Sequence, residues 1–147
     1  MTTRHDTIHQ AIATLQRLSD LFNQRREQIA LEGGVSVRQW GILEEIATEH
    51  FMPSLFAQQK SVTPAAISKL VRSLLERHLI RARIAEGDRR HRNYLLTAAG
   101  ERLLDRVRHA RQNAIAEIWA DLSVSELRQF SKFGDKLGDR LETYLEK

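Results

Sequence analysis

The spacing of apolar residues changes abruptly at one point, and that change restricts the fold more than any other feature. Between Pro64 and Arg77 the apolar positions Ile67, Leu70, Val71 and Leu74 recur at helical steps. From Leu79 the period becomes two: Ile80, Ala82 and Ile84 alternate with Arg81 and Arg83, and beyond a loop Tyr94 and Leu96 again lie two apart. A helix leading straight into a short antiparallel hairpin is therefore expected, with "AEGDRRHR" at the hairpin tip. Upstream, a short helix from Ser54 to Gln59 and the turn "KSV" precede Thr63, an N-cap, and Pro64, a residue suited to the first helical position. Two helices around a tight turn, followed by a basic hairpin, are the layout of a winged helix-turn-helix, whose second helix enters the DNA major groove.

The flanking segments read as helices. Ile8, Ile12, Leu15, Leu18, Leu21, Phe22 and Ile29 mark a long amphipathic first helix ending near Gly33 and Gly34. Ser36 and Gln39 form a capping box, with Val35 and Trp40 as its hydrophobic staple, and open a second helix that runs to about His50. Thr97 caps a long helix bearing Leu103, Leu104, Val107, Ala114, Ile115, Ile118 and Trp119; Ser123 and Glu126 start the last one. The expected fold is mainly α with a small β-hairpin wing, in one domain spanning 1–147. Residues 35–100 would form the winged helix-turn-helix, and 1–34 and 101–147 the helices outside it. Their apolar stripes exceed what one small winged core can cover, so burial between two copies, a homodimer, is expected. Gly134 and Gly138 within the last helix either allow close helix approach there or mark a weak segment.

Charge is unevenly distributed. The chain carries a net +4, but Lys60 to Arg92 holds nine Lys and Arg against Glu76, Glu86 and Asp88, which is +6 and leaves −2 for the rest. A localised basic block points to a polyanion contact. On the helix after Thr63, Ala65, Ser68, Lys69, Arg72 and Glu76 fall opposite the apolar stripe. Small residues near the start allow close approach, and the cations beyond them reach guanine edges or phosphate. Thr63, Pro64, Ala65, Ser68, Lys69 and Arg72 are therefore the candidate recognition residues, and Arg83, Asp88, Arg89, Arg90 and Arg92 those of the wing.

Other chemistries find little support. The chain has no cysteine, which excludes disulfides, thiol nucleophiles and thiol redox switches. No apolar run is long enough to span a membrane and the start "MTTRHDTIHQ" lacks a signal-peptide core, so a cytoplasmic protein without membrane association is expected. Neither a Ser-His-Asp order, a glycine-rich phosphate loop nor a carboxylate pair stands out; no enzymatic activity and no cofactor are expected. Of six histidines, His5 and His9 are the only pair at i, i+4 spacing; they lie near a terminus expected to fray, and no metal site is assigned.

The stretch "DRRHRNYLLTAAG" resembles the wing of the MarR family of bacterial transcription regulators, with Asp-x-Arg, a short strand, then Leu-Thr-x-x-Gly at Leu96, Thr97 and Gly100. "SVTPAAISKLVRSLLERHLI" resembles that family's recognition helix and first wing strand, and the likeness extends over nearly the whole chain. The loop departs from the family in lacking its common proline, and Leu55 and Phe56 stand side by side where an acidic residue often precedes the apolar one. The resemblance implies a homodimeric, sequence-specific regulator of double-stranded DNA, a repressor on a pseudo-palindromic operator released by a small aromatic or phenolic acid. It places Arg90 in the minor groove, with Asp88 orienting the basic wing side chains. Trp40, Ile12, Phe22 and Trp119 would line the effector cleft or be ordinary core aromatics, with Arg17, Arg25 or Arg26 as carboxylate partners. The alternatives are a zinc-responsive regulator, a non-specific basic nucleic-acid module and a protein-interaction module.

Overall fold

The computed structural model describes the 147-residue chain except His50 and residues 85–91; of Ile84 and Arg92 only the backbone is described. Among the described residues, six helices and one hairpin follow in the order α1 Arg4–Glu32, α2 Val37–Ala47, α3 Pro53–Gln59, α4 Pro64–Glu76, β1 Ile80–Ile84, β2 Arg92–Leu96, α5 Ala98–Trp119 and α6 Val124–Leu145. The chain divides into two compact units, Met1–Arg111 and Gln112–Lys147, with the division inside α5.

Local chemistry accounts for where the helices start. Capping boxes pair Thr3 with Asp6, Ser36 with Gln39 and Ser123 with Glu126, each hydroxyl accepting from the N3 amide while the N3 side chain accepts from the cap amide. Thr63 Oγ1 accepts the Ala66 amide 3.1 Å away, and Pro64, which has no amide hydrogen to offer, fills the first position of α4. Helix ends rely on left-handed residues: Gly34 (φ 84°), Ser61 (φ 54°) and His78 (φ 56°) each let the next residue's amide reach back, Val35 to Ala30, Val62 to Ala57 and Leu79 to Leu74, at 3.0 Å. Helix α2 stops at Ala47, short of His50, where Thr48 donates to the Glu44 and Glu45 carbonyls and Glu49 turns left-handed (φ 63°).

The first unit holds the core. Ile29 and Ala30 of α1, Trp40, Ile42, Leu43 and Ile46 of α2, Phe56 and Ala57 of α3, Ile67, Val71 and Leu74 of α4, Leu79 and Ile80 at the first strand, and Leu103, Leu104 and Val107 of α5 are buried together. The two strands pair antiparallel from Ile80 opposite Leu96 to Ile84 opposite Arg92. Of the inward row expected of β1, Ile80 at the end that meets α4 is buried whereas Ala82 is exposed. In the second unit α6 buries none of its residues; Phe130, Phe133, Leu141, Tyr144 and Leu145 are all exposed.

Candidate nucleic-acid interface

Helix α4 is pinned on its inner side and open on its outer side. Ile67, Val71 and Leu74 are buried, while Leu70, expected to join them, is only half-buried and lines an open groove of about 880 Å³ with Leu31, Val35, Val37 and Ala66. Thr63, Pro64, Ala65, Ser68, Lys69, Arg72 and Glu76 are all exposed. The six recognition residues inferred from the sequence are thus all accessible: Thr63 and Pro64 at the helix start, and Ala65, Ser68, Lys69 and Arg72 on the side away from the buried stripe.

Two residues that the sequence marks as caps, Gln39 and Thr97, also tie α4 to its neighbours through bonds to Ser73 and His78, partners that the sequence does not reveal. Gln39, buried on α2, accepts the Ser36 amide with its carbonyl oxygen and donates Nε2–H to Ser73 Oγ on α4 at 3.3 Å, so the group that caps α2 also holds α4. The signal was present: Gln39 shares the inward stripe of Ile42, Leu43 and Ile46, where a polar residue needs a buried partner. At the other end, Thr97 Oγ1 donates to the His78 carbonyl at 2.6 Å and accepts the Gly100 amide at 3.1 Å. One hydroxyl therefore joins the end of α4, the exit of β2 and the start of α5. A Cβ on Gly100 would overlap the Leu79 carbonyl oxygen, so the helix approaches that backbone only as glycine. Together these contacts give the Leu96-Thr97-x-x-Gly100 pattern its physical content.

The wing is described in part. Arg81 and Arg83 of β1 are exposed, and Arg92 begins β2 opposite Ile84. Asp88, Arg89 and Arg90, and with them the tip of the wing, lie outside the described residues.

A further link joins α2 to α5 within the first unit. Arg108 grips Glu44 with Nε to Oε1 at 3.1 Å and Nη2 to Oε2 at 2.6 Å, and the Trp40 indole N–H donates to the same Oε1 at 3.2 Å. The Arg108 hydrogen bonds hold the Glu44 carboxyl below its ordinary range, partly offset by desolvation, and the pairing raises Arg108. Trp40 is thus a buried residue with its polar atom engaged. Ile12 and Phe22 lie on the exposed stripe of α1, and Trp119, half-buried, belongs to the second unit.

No protein-family model matches the sequence, and no curated protein does. Solved structures do resemble it. A MarR family transcription regulator shares 22% identity over 100% of this chain and 98% of its own, with a TM-score of 0.85. MarR of Staphylococcus aureus in complex with salicylate and kanamycin shares 17% over 97% of each chain, with a TM-score of 0.75. The DNA complex of Staphylococcus aureus MepR shares 18% over 95% of this chain and 97% of its own, with a TM-score of 0.67. The chain has the winged-helix fold of MarR family regulators. None of the described helices is long and apolar enough to cross a membrane.

Proposed function

We propose that this chain is a MarR family member, a homodimeric transcription regulator without enzymatic activity that binds a pseudo-palindromic operator in double-stranded DNA. The observation that carries the proposal is the outer face of α4, where Thr63, Pro64, Ala65, Ser68, Lys69 and Arg72 are exposed together on a helix whose inner face is locked in the core. Arg83, Arg89, Arg90 and Arg92 would add phosphate and minor-groove contacts from the wing, with Asp88 orienting them. Dimerisation is supported by two separate stripes: Ile8, Ile12, Leu15, Leu18, Leu21 and Phe22 of α1 are each 37–47% exposed, and Phe130, Phe133, Leu141 and Tyr144 of α6 are at least half exposed. Residues 1–34 and 101–147 would then supply the interface around a DNA-binding part at 35–100. Repression in the cytoplasm is the simplest use of such a dimer. Selection from random duplex DNA tests the proposal: an inverted repeat is expected, and a sequence-blind pool would refute it.

A small carboxylate effector is supported by Arg25 on α1. Its guanidinium lies 4.8 Å from the Phe22 ring centroid, and Nε and Nη1 are the only buried side-chain polar atoms among the described residues without a hydrogen-bond partner. A buried donor without an acceptor calls for an anion. We place an aromatic acid there, with Ile12, Phe22 and Trp40 of the first unit as the proposed apolar lining. It releases DNA only if it favours the half-site spacing that does not fit the operator. Salicylate should displace operator DNA and salicylamide should not; equal effects of acid and amide would rule out the carboxylate role.

A further inference from the structure

Metal binding is not expected of a frayed terminus, but the start of α1 is capped. Thr3 and Asp6 close a full capping box, with Asp6 Oδ2 accepting from the Thr3 amide at 2.9 Å and from Thr3 Oγ1 at 2.7 Å, and the helix is formed from Arg4 onward. On this capped turn His5 and His9, both exposed, stand one above the other with ring centroids 4.3 Å apart and planes 70° apart. Residues four apart on a helix hold their Cβ atoms about 5 to 6 Å apart, a spacing from which two imidazoles converge on one ion, as in helical zinc sites.

We propose that His5 and His9 form a two-nitrogen chelate for a divalent transition metal of the copper, nickel and zinc class. The donor set decides the class, because imidazole suits these ions whereas magnesium and calcium prefer oxygen. Among the described residues no three His, Asp or Glu side chains gather to hold a metal, so the protein supplies two ligands and water the remainder. Asp6, between the two histidines in sequence, places a negative charge in the first turn, where the helix dipole alone would oppose a cation. Its oxygen is engaged by Thr3 and stays a cap. A chelate closed across one turn resists the opening of that turn, so the bound ion acts as a staple on the end of α1.

The test uses the whole protein titrated with Cu2+ and, separately, Zn2+. Wild type should bind one tight Cu2+ per chain, with electron paramagnetic resonance showing two equatorial nitrogens, and Zn2+ should slow amide exchange at residues 5–12. His5→Asn and His9→Asn should each weaken Cu2+ by at least about tenfold and abolish the Zn2+ protection. His109→Asn, which leaves the pair intact, should behave as wild type. The proposal is overturned if wild type shows no stoichiometric site, or if the tight site survives both His5→Asn and His9→Asn.

Discussion

Gly100 and His78 show how single residues carry the junction between α4, the wing and α5. Gly100→Ala must push α5 off the Leu79 backbone, and a loss of more than about 2 kcal/mol is expected in denaturant unfolding; a silent substitution would contradict the close approach. His78 occupies a left-handed position at φ 56° with an exposed side chain and contributes its carbonyl, which any residue supplies, to Thr97. His78→Gly removes the Cβ conflict and should raise Tm by about 2 to 4 °C, whereas His78→Ala should not. The proposed division of labour in DNA binding is tested by Arg72 and Arg90. Arg72→Ala should cost about 1 to 3 kcal/mol at one base position per half-site. Arg90→Ala should weaken binding to all sequences and flatten its salt dependence, and identical sequence-blind losses from both would contradict the assignment.

Between elements, the stability of the first unit depends on pH through Glu44. Its folded carboxyl lies below the ordinary value of 4.5 because Arg108 stabilises the charged form, so the contribution is present above that value and fades as pH falls through the lower folded value. Both side chains are more than a third exposed, so Glu44→Gln should cost only about 0.5 to 1 kcal/mol near neutral pH, and nothing once wild-type Glu44 is protonated. A cost that persists in acid would show that packing of Trp40 is responsible. The same contacts mark what the sequence made legible. Ser36, Thr63 and Ser123 announce their helices because a cap depends on residues three positions apart. Glu44 and Arg108 are 64 residues apart with no local signature, and the Gln39–Ser73 clasp spans 34, so both required the fold. Leu70 lay on the inward stripe yet stays half-buried, because helical periodicity gives direction and not the reach of the neighbouring helix.

At the scale of the whole molecule, the proposed function requires a pair of chains that reads a symmetric site. The exposed apolar stripes of α1 and α6 are the physical reason to expect that pair, and the outer face of α4 is the reason to expect sequence preference. Both are tested together by titrating a selected inverted repeat, and random duplex of equal length, at fixed salt with sedimentation equilibrium to count chains. Two chains per repeat and a preference of about 10³ or more over random duplex are predicted. A monomer bound with equal affinity to both duplexes would contradict the account.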